Sequence, residues 1–281
     1  MHRTSPSVRR VTVVVLDGLR PDAIDKFSLF TVARLAQRGA STLRARTVTP
    51  SVTAAAMATL LTGAAPDRHG LQSERFHMPR IRGALHPWAK QLAAERLPTT
   101  MMMARIPVFF APVARRFASM LGIGETHFPG DTCTEIAAAA TTVLDRQRDG
   151  VVVMHWPDGD RAGHEHGWMS PEYALAAGRM DNALGRLVRS IDLDDPRELL
   201  VVCADHGGGG ARLRSHDSEH HADTTIPVIL AGGAVLPGDL GADVTFADVP
   251  ATLLWSLGLK VPESYAGRPL VHAFQRSEVA A

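Results

Sequence analysis

Three stretches of the chain are apolar at nearly every position: VTVVVLD (11–17), GVVVMHW (150–156) and ELLVVCAD (198–205). A strand with one solvated face would alternate. Runs this continuous fit parallel strands covered on both faces. Elsewhere the period changes. Tyr173, Ala177, Met180, Leu184, Leu187 and Ile191 recur at three- and four-residue steps, which predicts a helix over 171–191. Ser170 and Pro171 supply its cap and first-turn proline. CTEIAAAATTVLDRQRDG (133–150) predicts a second helix that ends in glycine, and DVPATLLWSLGL (248–259) a third. Strands alternating with helices define an α/β domain with a mainly parallel sheet. No repeat, low-complexity tract or long linker interrupts the 281 residues, so 1–281 is expected as a single domain. The stretch 75–130, rich in Pro, Met, Phe and Arg, is expected as either a small lid or ordinary peripheral packing.

Composition narrows this picture by exclusion. Apolar residues make up 45% and the formal net charge is +1, so no strong overall field points to nucleic acid or an acidic membrane. Cys133 and Cys203 have no paired spacing, which fits a reducing compartment better than a disulfide framework. The longest apolar run near the start, Val11–Leu16, is too short for a signal-peptide core or a membrane span. A cytoplasmic protein without membrane or nucleic-acid partners is the expectation.

The chemistry lies where the apolar runs stop. Each ends in acid: Asp17 in LDGLRPD, Asp158 or Asp160 in PDGD, and Asp205 in ADHGGGG. Ligands of open α/β sheets bind at the carboxyl ends of the strands. Three carboxylates converging there would repel one another and shift their pKa values unless a cation is bound. Histidines accompany them: His164 in D-x-x-G-H, His206 beside Asp205, and His216 in RSHDSEHH. Three Asp and three His can serve two metal sites of about three ligands each, with positions left open for water and substrate. Imidazole with carboxylate suits Zn²⁺, with Mn²⁺ and Fe as alternatives. DGDRAGHEHG (158–167) is expected as a loop donating Asp160 and His164.

A nucleophile is expected in TVTPSVTAAAMATLLTG (47–63). AAAMATLLT is a strong helix former and Gly63 a natural stop, which puts Thr53 at or just before a helix N-terminus. Amide groups and the helix dipole there favour an anion such as phosphate. Thr53 or Ser51 could equally serve as an N-cap.

At this point the chain resembles the alkaline phosphatase superfamily, specifically its type I phosphodiesterase/nucleotide pyrophosphatase branch, over roughly residues 10–270. VVVLDGLRPD resembles the first metal-ligand strand, and TPSVTAAAMATLLTGAAPDRHG the nucleophile segment. PDGDRAGHEHG, ADHGGGG and SHDSEHHADTTIPVILAGGAV are similar to the three later ligand motifs, and FADVPATLLWSLGLKVPESYAGRPL to the usual C-terminal segment. The resemblance implies a three-layer αβα sandwich and two divalent ions; the chain is short for the superfamily, so a minimal core without a large cap is expected. It implies that Asp17, Asp205 and His206 hold one ion and Asp160, His164 and His216 the other, with Thr53 as nucleophile. His221 is the alternative to His216. Asp158 is expected as a neighbour of the site.

The implied activity is hydrolysis of a small phosphodiester or nucleotide pyrophosphate through a phospho-threonine intermediate. Phosphomonoesterase and phosphonate hydrolase are alternatives on the same core. The former would need extra positive charge, with Arg161, Arg212 and Arg214 as candidates. An inactive, metal-stabilised binding protein is the alternative from another class. A sulfatase is disfavoured because no C-x-P-x-R or S-x-P-x-R replaces the SVTAA region, and a phosphoglycerate mutase because the chain lacks room for a second domain. One departure concerns substrate binding. Glu74 stands where many family members carry an Asn whose amide contacts a phosphate oxygen, and a carboxylate there repels phosphate unless it is protonated, turned away or bound to a cation.

Overall fold

The computed structural model describes residue 6, residues 8–73 and residues 80–275. Eight strands form one sheet: β1 (Arg10–Leu16), β2 (Ala40–Arg46), β3 (Thr99–Met102), β4 (Glu125–His127), β5 (Gly150–Trp156), β6 (Glu198–Cys203), β7 (Thr225–Ala231) and β8 (Gly238–Asp239). Their spatial order is β4-β3-β5-β1-β6-β7-β2-β8. The five strands from β4 to β6 are mutually parallel, and β7 alone runs against its neighbours β6 and β2. The fold is therefore α/β with a mainly parallel central sheet.

Every residue of β1, β5 and β6 is buried. That is why their sequences are continuous Val and Leu runs: both faces are covered, so neither face needs polar side chains. The helices Phe30–Arg38, Cys133–Arg146 and Pro171–Val188 pack on one another, and Thr53–Thr62, Trp88–Ala94 and Asp248–Ser256 form a second group. Tyr173, Ala176, Ala177, Met180, Ala183, Leu184 and Leu187 form the buried stripe of Pro171–Val188, at the expected helical steps. Ser170 caps it by accepting from the Tyr173 amide. The 133–150 helix ends at Arg146, short of the expected glycine. Gly150 instead opens β5 at φ +81°, where an added Cβ would meet Pro98 O at 2.0 Å.

Two elements depart from expectation. Residues 158–166 form a helix rather than a loop, which places Asp160 and His164 one turn apart on the same side. Within 75–130, β3 and β4 join the sheet at its edge, while residues 103–110 and the helix Ala111–Met120 stand outside it. Among the described residues no helix is long and apolar enough to cross a membrane.

Candidate metal centre

Strand order explains the convergence of the acids. β1 lies between β5 and β6, so the three carboxyl ends are immediate neighbours, about 4.8 Å apart per step. Val15 pairs with Cys203 in β6 and with His155 in β5. Two places further on, Asp17 comes level with Asp205 and on the same face of the sheet as His155. Gly18 then turns the chain at φ +70°, and a Cβ there would lie 2.9 Å from Asp160 Cα. A glycine is required for the strand end and the 158–166 helix to approach this closely.

The ligand atoms gather into two groups that share His206. Asp17, Asp205 and His206 form one, and Asp160, His206 and His216 the other, each within 4.8 Å. His206 Nε2 is 3.3 Å from Asp17 Oδ1, 3.7 Å from Asp205 Oδ2 and 4.0 Å from Asp160 Oδ1. His216 Nε2 is 3.5 Å from Asp160 Oδ1. His164 stands at the open rim, 3.3 Å from Asp160 Oδ1 and 3.1 Å from His216 Nε2. His221 lies outside the cluster; it is exposed, and its ring is tilted 35° against that of His220 with centroids 4.2 Å apart. Asp158 turns away from the ligands and accepts from the Cys133 amide at 2.7 Å.

The donor set fits divalent cations. His206, His216 and His164 each donate Nδ1–H to a backbone carbonyl, of Gly207 (2.8 Å), Ser51 (2.7 Å) and Arg214 (2.9 Å). This fixes the tautomer and aims each Nε2 lone pair at the cluster, the arrangement found around metal-bound imidazoles. The Nε2 atoms of His164 and His216 consequently face each other, which favours a cation between or beside them. Asp17 Oδ1, Asp160 Oδ1 and Asp205 Oδ2 are buried acceptors with no hydrogen-bond partner among the described residues. Such atoms are costly in a folded interior unless a cation satisfies them.

The electrostatics point the same way. Burial and the neighbouring carboxylates of Asp205 and Asp160 push Asp17 up to about 7. Burial also opposes charge on Asp205, yet His206 and His155 hold it below the usual carboxylate range. Burial disfavours the charged forms of His155 and His206, but the adjacent acids outweigh it: Asp17 and Asp205 raise His155 to about 10, and Asp205 and Asp17 raise His206 to about 9. The cluster therefore gathers positive charge, as protons where no metal ion is bound.

Thr53 is the first residue of the helix Thr53–Thr62, and its Oγ1 is 3.0 Å from His206 Nε2. The N-cap residue is Val52, with no side-chain cap bond, so Thr53 is not the cap. Ser51 points elsewhere: its hydroxyl donates to His216 O and to Ser218 O. Thr47 anchors the same loop, donating its hydroxyl to Asp205 O while its amide donates to Thr224 O. The P-x-x-H-G stretch braces the helix from behind. Burial lowers His69 to about 4, so it is neutral, with Nε2 3.1 Å from Thr59 Oγ1 while Nδ1 accepts from the Leu71 amide. Glu74 lies outside the described residues.

Sequence reasoning missed two contributors. His155 Nε2 lies 3.2 Å from Asp17 Oδ2, the oxygen that His206 does not face, and 3.8 Å from Asp205 Oδ2, which it shares with His206. The signal was strand parity: His155 is the polar residue in an apolar run and shares a sheet face with Asp17. Trp168 is buried with its ring against Gly163 and Gly208, where added Cβ atoms would come within 2.4 Å and 2.1 Å of it. Its Nε1–H donates to Gly18 O at 3.0 Å, which ties the glycines of GH and DHGG to one packing requirement.

A parallel sheet with acids and imidazoles at three adjacent carboxyl ends, and a hydroxyl at a helix start, defines an alkaline-phosphatase-like fold and site. The chain matches the type I phosphodiesterase/nucleotide pyrophosphatase family over residues 11–229, and it belongs to that family. It is 30% identical over 147 residues to the 2,3-bisphosphoglycerate-independent phosphoglycerate mutase of Haloarcula marismortui, covering 51% of this chain and 27% of the mutase. It is 26% identical over 280 residues to the catalytic subunit of GPI ethanolamine phosphate transferase 2 of Homo sapiens, covering 93% of this chain and 28% of the transferase. The matches thus span little more than a quarter of either relative. A solved structure from Vibrio parahaemolyticus, a protein of the alkaline phosphatase superfamily, superposes with a TM-score of 0.70 at 15% identity, covering 96% of this chain and 72% of that one. That likeness shows the fold.

Proposed function

We propose that the chain is a metal-dependent phosphodiesterase that acts through a phospho-Thr53 intermediate. Asp17, Asp205 and His206 would hold one divalent ion, and Asp160, His164 and His216 the other, with Zn²⁺ the ion best matched to the donors. Bound there, two such ions would lower the pKa of the attacking hydroxyl and neutralise phosphoryl oxygens. The observation that carries the reading is the position of Thr53 Oγ1, 3.0 Å from His206 at the junction of the two ligand groups.

Thr53 Oγ1 would attack phosphorus in line with the leaving oxygen. The Thr53 O–P bond forms as the leaving-group O–P bond breaks, and the alkoxide departs with a proton. Water then attacks the same phosphorus, the Thr53 O–P bond breaks, and the hydroxyl is restored. The amides of the first helical turn, at the positive end of the helix dipole, would stabilise charge on the phosphoryl oxygens.

Charge supports a diester over a monoester. Three carboxylates against two divalent ions leave one positive charge, which balances the single negative charge of a diester. A dianionic monoester would call for further cations; Arg212 is paired with Asp217 at 2.7 Å and Arg20 with Asp22 at 2.6 Å, which leaves Arg214, exposed beside His164, as the candidate for that role. Arg161 donates to Asp131 O at 2.5 Å. Initial rates of the zinc-loaded protein on bis(p-nitrophenyl) phosphate and on p-nitrophenyl phosphate test this. A preference for the diester is expected. A preference for the monoester would reassign the chain to the phosphatases, and turnover of neither would refute the activity.

A further inference from the structure

The helix Ala111–Met120 is packed the wrong way round for a helix that has finished its contacts. Ala111 and Ala114 are half-buried and Ala118 is buried, so its small side chains face the protein. Its large apolar side chains face out: Val113 is 65%, Phe117 58% and Met120 64% exposed. These recur at four- and three-residue steps and make one stripe. The preceding turn extends it with Val108 at 85%, Phe109 at 73% and Phe110 at 55% exposure. A contiguous patch of this kind is uncommon on a finished surface and marks an interaction site.

Charge identifies what covers it. Residues 80–124 carry seven Arg or Lys against one acid, Glu95, a formal +6 in a chain of +1, which leaves −5 for all the rest. The near-neutral total conceals this separation. Arg115 and Arg116 lie on the helix itself and are exposed, with the Arg115 guanidinium 5.6 Å from the Phe128 ring. Pairing with a second copy through the patch would bring Arg115 and Arg116 of both copies together, which disfavours self-association. Large apolar side chains beside exposed arginines, on a segment with no acid between 96 and 124, match the interface of an anionic bilayer, where rings enter the acyl boundary and guanidinium groups meet lipid phosphates.

We propose that the surface formed by residues 108–120 docks the protein on anionic lipid. The surface lies on the site's edge of the sheet. Residues 103–110 leave the carboxyl end of β3, the Arg105 amide donates to Gly130 O, and Arg161 of the Asp158–His166 helix donates to Asp131 O next door. Docking therefore turns the metal-ligand edge toward the headgroups. The proposal does not depend on the phosphodiesterase reading, because its readout is binding.

The test is co-sedimentation of the full chain with vesicles of phosphatidylcholine alone, or with one third phosphatidylglycerol, at about 0.1 M salt. Binding to the anionic vesicles only is expected, and it should weaken as salt rises. Replacing Phe109 and Phe117 with Ser should weaken it on the order of a hundredfold. Replacing Arg115 and Arg116 with Gln should weaken it roughly thirtyfold. Both variants alter exposed side chains and should keep the parent melting temperature, which separates lost docking from lost folding. No binding to the anionic vesicles, equal binding to neutral ones, or full binding by both variants would overturn the proposal. The first of these would favour an acidic protein as the partner.

Discussion

Replacing His216 by Ala should remove one bound ion, whereas His221→Ala should not. His216 is 2% exposed, with Nε2 3.5 Å from Asp160 Oδ1 and Nδ1–H bonded to Ser51 O at 2.7 Å. Its ring stacks on His206 with centroids 3.8 Å apart and planes 9° from parallel. Truncation deletes a ligand atom, unbinds the Ser51 carbonyl and removes the surface against which His206 is held. The lost hydrogen bond costs about 1 kcal/mol of stability. Loss of a group that merely orients a ligand weakens metal binding roughly 10- to 100-fold, so loss of the ligand itself should exceed about 100-fold for that ion. His221 is exposed and touches none of the ligands, so its truncation should leave stoichiometry unchanged. Elemental analysis after dialysis, with calorimetric titration of Zn²⁺ into the chelator-treated protein, reads both. Two retained ions in His216→Ala, or one lost in His221→Ala, would refute the ligand assignment.

His155→Ala should weaken metal binding about 10- to 100-fold without deleting a ligand, because Asp17 Oδ2 loses its partner and Asp205 Oδ2 loses one of the two imidazoles beside it; titration of Zn²⁺ measures it. Stability of the metal-free chain should fall with rising pH. His155 and His206 hold protons in the folded state up to about 10 and about 9, where the unfolded chain has released them. Their contribution is complete below pH ~6.5 and lost as pH rises through those values. Melting curves across this range in EDTA should show the decline, and bound metal, which replaces the protons, should flatten it. Gly18→Ala should cost at least about 1–2 kcal/mol for the φ +70° turn alone, read by urea denaturation; an unchanged midpoint would contradict the tight approach to Asp160.

The strands were legible because burial on both faces removes alternation, and VTVVVLD, GVVVMHW and ELLVVCAD are written that way. β2 was not, because ASTLRAR lies toward the sheet's other edge with exposed positions and carries no apolar run. Asp17, Asp160 and Asp205 could be read as converging because strand ends address one edge of a parallel sheet. Their alignment, and the approach of Asp160 over Gly18, came only from register and strand order. DGDRAGHEHG reads as a loop because it has three glycines and little apolar content. The helix forms because Ala162 and Gly163 pack inward, the latter against Trp168. The 111–120 helix escaped notice because its large apolar residues point outward, so their spacing described a surface instead of a core.

The proposed mechanism turns on Thr53 as the nucleophile at a two-metal site. Initial rates of zinc-loaded wild type and Thr53→Ala on bis(p-nitrophenyl) phosphate, with metal content measured on the same samples, test it most directly. The account predicts a loss of at least about 1,000-fold in rate with metal content unchanged. A Thr53→Ala protein within tenfold of wild type, with both ions bound, would contradict it.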